Sequence, residues 1–123
     1  MIGYTGNIEQ LTLSNEFFRQ VLFTGKHSQL VVMALLPGEE IGMEVHENVD
    51  QFFRIEQGKA KFVLNGEETV IGNGEVAIVP AGTKHNVVNV GEEKLKLYTI
   101  YSPPNHPEGT IHKTKAEAMS AEH

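Results

Sequence analysis

Cysteine is absent from this 123-residue chain. That excludes disulfides, thiolate nucleophiles, iron–sulfur clusters and zinc sites built on sulfur. Any metal must be held by nitrogen and oxygen, and six histidines are on offer. Basic charge is scarce: ten Lys and Arg stand against sixteen Asp and Glu, a formal net charge of −6. No basic stripe appears, which argues against a nucleic-acid partner. No apolar run approaches the ~20 residues that cross a bilayer as a helix. Met1-Ile2-Gly3-Tyr4 carries no basic or apolar region of a signal peptide. The expectation is a cytoplasmic protein with no membrane or nucleic-acid partner. Against these absences stands a 40% hydrophobic content, over a length that fits one domain with one real core.

Asn7 to Leu11 suits a short turn of helix ending near Leu13-Ser14-Asn15, packed outside the main domain. Phe17 to Phe23 reads as a strand. Gln29 to Leu36 is nearly continuous in apolar residues, as a strand buried on both faces would be. Short strands then follow at close spacing: Ile41–His46, Gln51–Gln57, Lys59–Leu64, Glu67–Ile71, Glu75–Val79, His85–Val90 and Lys94–Tyr101. Asn65-Gly66 between two of them is a hairpin signal. Thr114 with Glu117 reads as the capping box of a helix running to Glu122. Many short strands and little helix indicate an all-β sandwich or barrel. The expected organisation is an N-terminal segment with an outer strand over 1–27, a barrel over 28–102, and a tail with a short helix over 103–123.

Metal-capable side chains gather in two places. Glu44 and His46 are two apart, so on a strand they share one face while Val45 turns away. Gln51 begins the returning strand, and His85 begins another after Pro80-Ala81-Gly82. Together they make a nitrogen–oxygen donor set suited to one divalent transition metal: Mn, Fe, Ni, Co or Zn. Glu47, beside His46, is a candidate general acid or base. Tyr98 and Tyr101 are expected to be core or sheet residues, with a pocket role as the alternative. His27, His106, His112 and His123 are scattered along the chain.

The spacing resembles that of the cupin superfamily, in its small single-domain bacterial form. The family's first motif is Gly, five residues, His-x-His, three or four residues, Glu, six residues, Gly. This chain has Gly38, then Glu44-Val45-His46, Gln51 and Gly58 at those spacings. The second motif is Gly, five residues, Pro-x-Gly, two residues, His, three residues, Asn. Gly74, Pro80, Gly82, His85 and Asn89 fill every fixed position. A chance match of the second motif is roughly one in 10⁴ or rarer from average residue usage. The resemblance covers roughly residues 28–102. It implies an antiparallel β-barrel of the jelly-roll (double-stranded β-helix) type, a homodimer, and a metal at the barrel mouth.

Two ligand positions depart from the family pattern. Glu44 stands where a histidine is expected and Gln51 where the glutamate is expected, so a His-His-carboxylate set persists as His46, His85 and Glu44. The expected function is that of a metal-dependent enzyme on a small molecule, with isomerase or lyase chemistry on a sugar or keto-acid favoured. The alternatives are an iron-dependent dioxygenase, a non-catalytic metal- or ligand-binding sensor module, and a scaffold cupin without metal.

Overall fold

The computed structural model describes residues 2–121. The elements in order are α1 (Ile8–Ser14), β1 (Arg19–Thr24), β2 (Gln29–Leu35), β3 (Asp50–Gln57), β4 (Ala60–Leu64), β5 (Glu67–Ile71), β6 (Val76–Val79), β7 (His85–Asn89), β8 (Leu95–Ser102), β9 (Ile111–His112) and α2 (Lys115–Ala121). A six-stranded sheet runs β6-β3-β8-β2-β1-β9, and a three-stranded sheet runs β5-β4-β7. Every pairing is antiparallel. The two sheets hydrogen-bond separately, so the expected barrel is realised as a two-sheet jelly-roll sandwich.

Alternation along the strands decides what lies between the sheets. On the large sheet, Leu35, Leu95, Leu97, Ile55, Met33 and Phe53 point inward and are almost wholly buried. Phe62 comes from β4 to meet Phe53 edge-on, with ring centroids 5.0 Å apart. That contact joins the sheets. The outer face of the large sheet is covered by α1, which packs on β8, β3 and β2. Asn7 caps this helix by accepting from the Gln10 amide.

Most of the expected elements are present, with small shifts at their ends. Asn65 and Gly66 both take positive φ, 50° and 87°, which a two-residue hairpin turn of the primed kind requires. Thr114 accepts from the Glu117 amide and starts α2. The predicted end of that helix, Glu122, lies outside the described residues, as do Met1 and His123. The tail contributes more to the core than its polar sequence predicts: Ala118 is buried in it, and Lys115 Nζ donates to the carbonyls of Glu40 and Ile41.

One predicted strand is corrected. Ile41–His46 forms no strand: it meets β7 at one isolated bridge, Glu44 to His85, with a second just before it, Glu40 to Val88. Gly42 breaks the ladder between them: its φ is +110°, and its amide donates to the Asn86 side chain. Strand β9 was not foreseen. Its two residues are recognisable as a strand only through their pairing with β1. Among the described residues no helix is long and apolar enough to cross a membrane.

Candidate metal centre

His85 opens β7 at the end of the small sheet, opposite Leu64. The Pro80-Ala81-Gly82 turn delivers it there. Gly82 has a φ of +82°, a conformation that residues with a Cβ rarely adopt. Its amide donates to the His46 carbonyl over 2.9 Å. The neighbouring Ala81 amide donates to Asp50 Oδ1 over 2.8 Å. These bonds fasten the second motif's turn to the first motif's turn. The two imidazoles are thereby brought together, with ring centroids 5.4 Å apart.

Glu44 is set by the bridge to His85. Its amide donates to the His85 carbonyl over 2.8 Å, and the His85 amide donates back over 2.9 Å. One donor atom each from Glu44, His46 and His85 lie within 4.8 Å of one another. Donors sharing an ion at about 2.1 Å stand at most about 4.2 Å apart, so small side-chain rotations close the cluster onto one ion. The Glu44 Oε2 to His46 Nε2 distance is 3.7 Å, too long for a hydrogen bond between them.

The protonation pattern suits ligation. His85 Nδ1 lies 2.9 Å from the Thr83 carbonyl, which can only accept. Nδ1 therefore carries the proton, and Nε2 keeps its lone pair for the site. Burial pushes His46 below the ordinary histidine range, and the neighbouring His85 and the charge of Arg19 push it the same way. His46 is thus neutral near pH 7. Its Nε2 is buried without a hydrogen-bond partner.

Gln51 is 3% exposed on the inner face of β3. Its Nε2 donates to Thr99 Oγ1 over 3.0 Å, while its Oε1 is buried with no partner. It is the register partner of Tyr101, whose ring lies 6.1 Å from that of His46. Buried carbonyl oxygens without partners are uncommon and call for an explanation. An ion held by the Glu44–His46–His85 cluster would satisfy the imidazole nitrogen, and the amide oxygen is a further donor without a partner. The donor set therefore fits the group that the motifs imply.

Glu47 sits on the exposed turn after His46, its Oε2 beside Gly82. Tyr101 points inward and Tyr98 outward, against Phe52. Two further residues escaped the sequence reading. His106 Nε2 reaches Tyr101 Oη over 3.2 Å. Burial holds His106 down to about 3, with Arg19, His112 and His46 adding to the effect. The loop carrying it is clamped by Gln29, which donates to the His106 carbonyl and accepts from the amides of Asn105 and His106. Arg19 is the other. Its spacing to Val21 placed both on one face of β1, and that was the signal available.

A family model described as Cupin domain matches residues 31–101. The uncharacterized protein YrkC of Bacillus subtilis is 53% identical over 94% of this chain. The uncharacterized protein L612 of Acanthamoeba polyphaga mimivirus is 43% identical over 88% of it. The chain spans 66% of YrkC and 70% of L612. The crystal structure of BH2720 from Bacillus halodurans superposes with a TM-score of 0.94 at 42% identity, covering 95% of this chain and 93% of that one. The chain belongs to the cupin superfamily.

Proposed function

We propose that this cupin holds one divalent transition-metal ion at Glu44, His46, Gln51 and His85, and that it is an enzyme acting on a small oxygen-bearing molecule. Isomerase or lyase chemistry on a sugar or keto-acid is the reaction class favoured. The observation that carries the reading is the Glu44–His46–His85 cluster, with His46 Nε2 in it buried and unpartnered; the unpartnered Gln51 Oε1, on the residue paired with Tyr101, supports it. Mn, Fe, Ni, Co and Zn all suit such a nitrogen–oxygen set. A bound ion supplies Lewis-acid polarisation of a substrate oxygen.

The protein's own groups do the rest. The Thr83 carbonyl fixes the His85 tautomer. Glu44 supplies the negative charge of the site, and Glu47 moves a proton between substrate and solvent from the exposed rim. Tyr101 and His106 form the wall beside His46. The reading also takes the protein as a cytoplasmic homodimer. The exposed Val76 and Ile78 on edge strand β6 support a paired surface.

The test is metal content per chain, by elemental analysis, after purification without added metal or chelator. About one equivalent is expected in the parent protein and none in the His46→Ala/His85→Ala double variant. Unchanged metal in that variant would sink the assignment.

A further inference from the structure

The Asn65-Gly66 turn makes contacts that a hairpin alone does not need. Register in the small sheet places Leu64 opposite His85, so Asn65 stands opposite Lys84, just beyond the end of β4. A hydrogen-bonded antiparallel pair exchanges two bonds, each amide donating to the other residue's carbonyl. Here the Asn65 amide donates to the Lys84 carbonyl over 2.7 Å. The return bond runs from the Lys84 amide to Asn65 Oδ1 over 3.0 Å, so a side-chain oxygen takes the place of the main-chain one. Asn65 sits at a φ of 50°, which glycine would adopt at less cost. Glycine would lack this oxygen.

These two bonds hold the peptide units on either side of Lys84, and both units lead to His85. The Thr83–Lys84 unit offers its carbonyl to His85 Nδ1 over 2.9 Å and its amide to Asn65 Oδ1. The two groups lie on opposite edges of one planar trans unit. Fixing the amide therefore fixes the direction of the carbonyl, and a hydrogen bond at the amide polarises the carbonyl as an acceptor. The next unit, Lys84–His85, gives its carbonyl to the Asn65 amide and its own amide to the Glu44 carbonyl. The chain's other turn of this kind, Asn73-Gly74, makes a contrast. Asn73 Oδ1 accepts from the Gly58 amide over 2.9 Å, a bond with no link to the His85 turn.

We propose that Asn65 is a positioning residue for His85: its side-chain oxygen holds the Thr83–Lys84 peptide so that the Thr83 carbonyl keeps the proton on His85 Nδ1 and leaves Nε2 unprotonated. The consequence for metal affinity rests on the metal reading above. The hold on the His85 tautomer rests on the Asn65, Thr83 and Lys84 bonds alone, with or without an ion.

The experiment reads the His85 tautomer by two-bond proton–nitrogen NMR on the full chain, labelled with nitrogen-15 and free of metal, at about pH 8, where imidazole is neutral. The parent protein should show the Nδ1–H form. Asn65→Gly keeps a favoured hairpin turn and removes only the side-chain oxygen. Its Nε2–H population should rise about fivefold, and its zinc affinity, read by competition with a chelator, should fall about fivefold. Asn65→Asp returns the oxygen and should restore the parent pattern. Gly66→Asn disturbs the same turn with the oxygen in place and should leave the tautomer unchanged. An unaltered tautomer in Asn65→Gly would overturn the proposal. So would an Nε2–H form in the parent, Asn65→Asp behaving like Asn65→Gly, or an equal change in Gly66→Asn. Equal zinc affinity in Asn65→Gly would overturn the consequence for the metal. Zinc binding absent from every variant, the parent included, would sink the metal reading, and the tautomer result would still decide this one. If Asn65→Gly does not fold, Asn65→Ala, which also lacks the oxygen, decides.

Discussion

Strand β8 carries Leu95 and Leu97 toward one end of the interior and Thr99 and Tyr101 toward the other. Strand β3 repeats the split, with Ile55 opposite Leu97 toward the first end, and Phe53 opposite Thr99 and Gln51 opposite Tyr101 toward the second. So does β7, with one difference. At the leucine end its Asn89 is fully used: Nδ2 donates to the carbonyls of Leu35 and Glu93, and Oδ1 accepts from the Gly91 amide. At the other end, His46 Nε2 and Gln51 Oε1 are buried without partners. A satisfied buried polar group closes a fold; an unsatisfied one waits for a ligand. The same strands thus build a stabilising end and a receiving end, and position along the strand separates the two.

The comparison breaks most visibly at the leucine end. Leu97→Ala should cost about 2–5 kcal/mol of stability, because the side chain is fully buried and the strands on either side resist collapse. Urea unfolding measures this, and metal bound per folded chain should not change. Loss of metal in the folded variant would mean that the two ends are not separable.

Acid should act on the receiving end. His106 is held down to about 3 in the fold, chiefly by burial. Its unfolded value is near 6.5. The unfolded chain therefore takes the proton first, and the contribution of neutral His106 is complete above about pH 6.5 and lost as pH falls toward 3. His46 acts in the same direction. Unfolding midpoints between pH 7 and 4 should fall less steeply in His106→Gln than in the parent. Parallel curves would place the acid sensitivity elsewhere.

Gln51→Leu sharpens the contrast between the ends. Losing the unpartnered acceptor together with the hydrogen bond to Thr99 Oγ1 should cost about 1 kcal/mol of stability. Metal affinity, read by competition with a chelator, should fall on the order of tenfold, since one donor is gone. A stability cost equal to that of Leu97→Ala would make Gln51 a core residue. The smallest stability effect belongs to Glu44→Gln, within about 0.5 kcal/mol because the side chain is partly exposed. Its metal affinity should still drop; unaltered affinity would leave Glu44 a bystander.

Strand positions were readable because apolar alternation and turn residues are local properties, and the Asn65-Gly66 hairpin is the plainest case. His46 and His85 were readable because each sits in a fixed spacing. The Ile41–His46 segment misled, since its composition suits a strand while Gly42 and the Asn86 side chain interrupt the ladder. Arg19, His106 and His112 were opaque as a group. They come from a strand, a loop and a two-residue strand, and their meeting depends on β9 pairing with β1 and on Gln29 holding the loop.

The sequence by itself determined the fold class and the two histidine-bearing turns, because periodicity, turn chemistry and motif spacing act over a few residues. It also determined that any metal would meet nitrogen and oxygen donors, because no sulfur is available from cysteine. Only the tertiary structure decided which donors are left unpaired. Whether a buried group has a partner depends on residues far along the chain: Gln51 on Thr99, and Arg19 on His112. No local pattern carries that information.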